Sequence, residues 1–155
     1  SLCHCLESIK MLPPGQIENP KGHWGYITAR ACALAELNAP SRKRIICLAV
    51  TSTDTRDQGR PSSWSAEIDA LASGATDNFQ RLFIVSAGNI EDTWQREQYP
   101  DGQITESIHD PAQAWNALTV GAYTDLARIT DPQLTDYTAL APQGGLSPFT
   151  STSCM

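Results

Sequence analysis

The sequence predicts an α/β domain built on an open, mostly parallel sheet with helices on both faces. Strand-like and helix-like segments alternate along the chain, in the order strand, helix, strand, helix, strand. The strand-like segments 44–51, 82–85 and 115–122 are nearly continuous apolar or β-branched runs, which suits strands buried on both faces. Such alternation is the pattern of parallel strands joined by crossover helices. Neither an internal repeat nor a low-complexity tract interrupts it.

Each element has its own signals. Leu6 to Leu12 reads as a short strand ended by Pro13-Pro14-Gly15, and a loop rich in proline and glycine continues to Gly25. A helix then opens at Tyr26 or Thr28. Ala29, Cys32, Ala33, Ala35, Glu36 and Leu37 supply helical periodicity and composition, and Pro40 stops it. Arg44 to Thr51, RIICLAVT, is the next strand. After the polar loop TSTDTRDQGRPSS, Ser62 or Ser63 caps a second helix whose apolar stripe is Ile68, Leu71 and Ala72. Gly74 is its expected stop. Leu82 to Val85 and Trp115 to Ala122 are the remaining strands.

Composition narrows the function. A chain of 155 residues, 41% hydrophobic and 18% charged, has the balance of one globular domain with a core. The net charge of −6 argues against a nucleic-acid partner, which would select a basic face. The basic cluster Ser41-Arg42-Lys43-Arg44 reads as a solvated turn leading into a strand. No apolar run approaches the roughly 20 residues of a membrane helix, so no membrane partner is expected. Five cysteines, at 3, 5, 32, 47 and 154, are odd in number and irregular in spacing. With no signal-peptide pattern in SLCHCLESIK, they favour reduced thiols and a cytoplasmic rather than secreted location. Cys3-His4-Cys5 lacks a second ligand pair at zinc-finger spacing, and Cys32 and Cys47 read as small core residues.

In open α/β sheets, ligands sit at the carboxyl ends of the strands. Two segments occupy such ends: Val50-Thr51-Ser52 and Ser86-Ala87-Gly88-Asn89. A single helix separates their strands, so the two ends should lie side by side. Gly88 lets a backbone or ligand approach closely, and the Asn89 amide can donate to an oxygen there. The competing reading is an ordinary turn in which Asn89 adopts a left-handed conformation.

Three stretches bear on that choice. They are Leu82 to Asn89, an apolar strand closing in Ser-Ala-Gly-Asn; Asp110 to Ala122, DPAQAWNALTVGA; and Leu146 to Ser151, LSPFTS. In order and spacing they resemble subtilisin-like serine proteases, the subtilase family. The likeness covers most of residues 26 to 151, and it is specific in combination. It implies a serine endopeptidase acting on polypeptides through an acyl-enzyme. By the same likeness Asn89 belongs to the oxyanion hole. Ser86, Ala87 and Gly88 would form one wall of the primary specificity pocket, and Ala49, Val50 and Thr51 the other. Small residues on both walls imply room for a large apolar side chain.

The triad itself finds no match. The histidines His4, His23 and His109 are followed by Cys, Trp and Asp rather than by Gly-Thr, and no Asp-(Ser/Thr)-Gly or Gly-Thr-Ser-x-Ala occurs. Thr152-Ser153-Cys154 lacks the preceding glycine. The expectation is that residues 1–155 are the central part of one catalytic domain. Its aspartate and histidine would precede Ser1 and its serine would follow Met155, leaving the segment inactive alone. His109-Asp110 reads as loop. No cofactor is expected; a calcium ion is known in the family, but Asp54, Asp57, Asp92 and Asp101 form no spaced cluster. A nucleotide-binding domain is disfavoured, since neither phosphate-loop glycine motif is present. The remaining alternative is a non-catalytic pseudoprotease or binding domain on the same fold.

Overall fold

The computed structural model describes residues 5–15, 17–52 and 60–152. Cys3, His4, Asp54, Asp57, Ser153, Cys154 and most of the polar loop 51–63 lie outside the described residues. After a 3-10 turn at Lys21–His23 come α1 (Trp24–Asn38), β1 (Ile45–Leu48), α2 (Ser63–Ser73) and β2 (Leu82–Ser86). Two short helices follow, α3 (Thr93–Glu97) and α4 (Asp101–Ile104), and then β3 (Leu118–Val120). β1, β2 and β3 form a parallel sheet in that order, with Ile45 opposite Leu82 and Ile84 opposite Leu118. β4 (Tyr123–Thr124) and β5 (Gly145–Leu146) make a separate antiparallel pair. The alternating, parallel α/β architecture expected from the sequence is therefore present.

α2 begins and ends on local chemistry. The Ser62 hydroxyl accepts from the Ser65 N–H at 3.1 Å, satisfying one of the orphan donors of the first turn. Gly74 ends the helix at φ 74°, in the left-handed region that glycine enters without strain. α1 starts two residues earlier than its earliest sequence signal, and it includes Gly25. A side chain there would meet Glu67 Cβ at 2.9 Å, so the glycine allows α1 and α2 to touch. The two helices are also joined by a buried relay. Trp64 Nε1 donates to Thr28 Oγ1 at 2.9 Å, and that hydroxyl donates to the Trp24 carbonyl at 2.9 Å.

The core gathers Leu48, Phe83 and Val85 from the sheet with Cys32 of α1 and Trp64, Ile68, Leu71 and Ala72 of α2. Because side chains alternate along a strand, these sheet residues share one face. The other face carries Ile45, Cys47, Leu82, Leu118 and Val120, all exposed among the described residues. The apolar runs that suggested two buried faces thus have one face packed here, and α1 and α2 both lie on it.

Four expectations change. Leu6 to Leu12 is not a strand, because among the described residues no strand pairs with it to complete a ladder. The segment is held instead by side chains: Arg44 Nε donates to Glu7 at 2.6 Å and Asn19 Nδ2 to the Met11 carbonyl at 2.9 Å. The guanidinium of Arg44, and after it that of Arg42, keeps the Glu7 carboxyl below the usual carboxylate range. Arg44 is no solvated turn residue; it also donates to the Ala35 and Ala39 carbonyls at the end of α1. The strand expected over 115–122 shrinks to Leu118–Val120. Turns at Ala112 and Ala114 occupy the approach, and the Asn116 N–H is taken by Asp69 Oδ1 at 2.6 Å. Finally, Cys32 is buried as expected, whereas Cys47 is exposed, because strand alternation turns it to the open face.

Two measurements follow. Phe83→Ala should cost about 3–5 kcal/mol in urea unfolding, while the neighbouring Leu82→Ala on the open face should cost less than about 1 kcal/mol. Equal losses would contradict a one-sided core. Burial pushes the Cys32 thiol up to about 11, so alkylation of the folded chain in mildly alkaline buffer should modify Cys47 and spare Cys32 until denaturant is added. Peptide mass mapping reads the result, and a Cys32 adduct on the folded chain would contradict its burial.

Candidate functional site

Leu48 pairs with Val85, and beyond that rung the segments Ala49–Ser52 and Ser86–Asn89 run on side by side towards the sheet's carboxyl edge. They do not stay paired. The chain at His109-Asp110 enters between them: the His109 N–H donates to the Ala87 carbonyl at 2.9 Å. On the other side Asp110 and Ser52 exchange both backbone hydrogen bonds, at 2.9 and 3.0 Å. The pair lies outside helix and strand, as a loop reading expects, with Asp110 in an isolated bridge, yet both residues are buried. Ser65, under the first turn of α2, donates towards Asp110 Oδ1 at 3.4 Å and Gln113 Oε1 at 3.1 Å. No local signal announces this burial, since each partner is remote in sequence.

Around Asn89 the backbone is fixed and the side chain is not. The Ala87 N–H donates to the Val120 carbonyl at 2.9 Å, the Ile90 N–H to Phe149 at 2.8 Å, and the Ser151 N–H to Gly88 at 3.1 Å. The Gly88 N–H reaches the Ser86 hydroxyl at 3.3 Å. Asn89 is exposed, and its side-chain amide makes no hydrogen bond among the described residues. The positive φ of this turn, 102°, falls on Gly88. Asn78 is the non-glycine residue with positive φ among the described residues, so Asn89 is not there to supply a left-handed turn.

The 149–152 segment that pins this turn is itself anchored. Gln103 of α4 donates to the Ser147 carbonyl, and Thr152 Oγ1 donates back to the Gln103 carbonyl at 2.7 Å. Sequence reading missed Gln103, a buried polar residue in a four-residue helix too short to carry a periodicity signal.

The expected wall residues divide between two environments. Val50 and Thr51 line a cavity of about 910 Å³ together with Met11, Trp24, Trp64 and Glu91. Ala49 is exposed beside them, and Ser86, Ala87 and Gly88 are not part of this lining; Ala87 and Gly88 meet His109 instead. Asp92 and Asp101 serve helix ends: Asp92 accepts from the Trp94 N–H at 2.8 Å, and Asp101 sits in the first turn of α4. Among the described residues, no three His, Cys, Asp or Glu side chains gather as a metal site.

A model of the subtilase family, Peptidase_S8, matches residues 1–155. Comparison with curated proteins and with solved structures found no match.

Gly88 separates two kinds of constraint. A side chain there would overlap the His109 ring, with Nδ1 at 2.5 Å, in addition to the backbone strain of φ 102°. Gly144 has a comparable φ of 72° but open space around it. Gly144→Ala should therefore lose only the strain, about 1–3 kcal/mol, and Gly88→Ala distinctly more. Melting curves of the two variants compare them directly; equal losses would mean that the His109 contact is slack.

Proposed function

The chain belongs to the subtilase family, and on that premise we propose that it carries the oxyanion-binding amide and the specificity-pocket walls of a serine endopeptidase. Subtilases are hydrolases, serine proteases whose substrates are polypeptides. In their chemistry a serine hydroxyl attacks the scissile carbonyl carbon, a histidine takes the proton, and an aspartate orients the histidine. Negative charge then collects on the carbonyl oxygen. A hydrogen-bond donor already aimed at that oxygen stabilises the transition state more than the substrate, and needs no rearrangement when the charge arrives.

We assign that donor to Asn89. The observation that supports it is an exposed amide on a backbone held by hydrogen bonds from Ile90, Ala87 and Ser151. Ser86, Ala87 and Gly88 would line one side of the P1 pocket and Ala49, Val50 and Thr51 the other. The cavity beside Val50 and Thr51, with Trp24 and Trp64 in its lining, would receive peptide residues flanking the cleavage point. Serine, histidine and aspartate of the triad are assigned outside residues 1–155, and the segment by itself is assigned no activity.

The test is kinetic and uses the full-length protein. Asn89→Ala should lower kcat roughly 100- to 1,000-fold, about 3 to 4 kcal/mol, a magnitude taken over from a subtilisin's own oxyanion asparagine. KM should move little, because the bond forms mainly in the transition state. The melting temperature should hold, since an exposed amide contributes little to packing. Asn89→Asp should be at least as damaging, because a carboxylate would face a developing negative charge. Wild-type kcat in Asn89→Ala, or an unfolded variant, would refute the assignment.

A further inference from the structure

The walls assigned to the P1 pocket are built of small residues, and on sequence alone they suggest a roomy, apolar pocket. The structure runs the backbone of His109-Asp110 between those two segments. β1 and β2 are hydrogen-bonded up to Leu48 and Val85. Beyond that point His109 bonds to Ala87 on one side while Asp110 bonds to Ser52 on the other. With another backbone inserted, the two walls stand roughly two strand spacings apart, each spacing ~4.8 Å. The inserted segment closes the base of the cleft between them.

The His109 ring lies against Gly88. A Cβ built on Gly88 would come within 2.5 Å of His109 Nδ1 and 2.8 Å of His109 Cβ, so the imidazole takes the volume a side chain at Gly88 would fill. His109 is 3% exposed, and its backbone N–H is held by the Ala87 carbonyl. A buried, close-packed side chain cannot be pressed aside at small cost. A substrate side chain entering between the walls therefore meets the imidazole before it reaches full depth.

Resting on the assignment of these walls to the P1 pocket, we propose that His109 is a specificity-determining residue. It shortens the pocket, so that the enzyme cleaves after small residues, glycine, alanine or serine, and disfavours phenylalanine and leucine. The same ring explains why position 88 must be glycine, since any side chain there would compete for the same volume.

The experiment compares kcat/KM on a peptide series that varies only at P1, for the full-length wild type, His109→Ala and His109→Gly. Wild type should favour alanine over phenylalanine. The phenylalanine-to-alanine ratio should rise stepwise in the two variants, by roughly 10- to 200-fold, the discrimination a small change of pocket volume produces. A residue that merely supports the fold would lower the melting temperature and leave that ratio where it was, which would overturn the proposal. If both variants fail to fold, the wild-type series still decides: preferential cleavage after phenylalanine or leucine overturns the proposal, and preference for small residues supports it. Those outcomes leave the protease assignment standing. A wild-type protein that cleaves no member of the series removes that assignment, and the role of His109 with it.

Discussion

The parallel ladder between Ile45–Leu48 and Leu82–Ser86 is the constraint from which the rest of the molecule follows. Parallel strands must be entered from the same end, so the chain between them has to cross back over the sheet. α2 makes that crossing, and it can lie flat only on the face where Phe83 and Val85 stand beside Ile46 and Leu48. The same direction brings both carboxyl ends out at one edge. Addition of β3 in parallel places the Val120 carbonyl where the Ala87 N–H can reach it. Adjacency of the site segments is thus a by-product of strand direction.

Polar side chains then fasten what the sheet leaves loose. Arg81, 7% exposed, donates to Glu36 of α1, to Asp77, and to the Leu71 and Phe79 carbonyls. The hydrogen bonds it donates to Glu36 and then to Asp77 hold its guanidinium firmly in the charged form. One planar fork thereby ties a helix, the end of the next helix and the entry to β2. Arg44 does the same for α1, β1 and the segment around Glu7. At the carboxyl edge the fastening is done by backbone groups and by Gln103, leaving the side chain of Asn89 as the part that projects. A fixed scaffold carrying an exposed polar group is a general arrangement for loops that act on ligands.

How much of this was legible in the sequence depends on the range of the signal. α2 was readable from end to end because Ser62, its apolar stripe and Gly74 act within a turn or two of themselves. The sheet edge and the exposed Asn89 were readable because apolar runs that stop abruptly mark strand ends. Strand length was not, since pairing is a property of two segments: Leu6 to Leu12 has strand composition but no partner, and Trp115 to Ala117 is drawn into turns and a contact with Asp69. Cys47 misled for a related reason, as its neighbours are core-like but its own direction is set by the pleat. His109 and Asp110 are polar and precede a proline, the usual marks of a loop. Their burial rests on Ser52, Ser65 and Ala87, which no window around residue 109 contains.

The register of the sheet also says when it can form. Its rungs join residues far apart in the chain, roughly 35 positions, as Ile45 and Leu82 are. No rung can close early by local search, because each closure must bear the entropy of the whole intervening loop. The helices have no such handicap: the capped α2 makes its contacts within one or two turns. Folding should therefore run from helices to sheet, with the ladder closing late in a cooperative step. The carboxyl edge, where Asn89 and His109 meet their partners, would be among the last parts of the molecule to take shape.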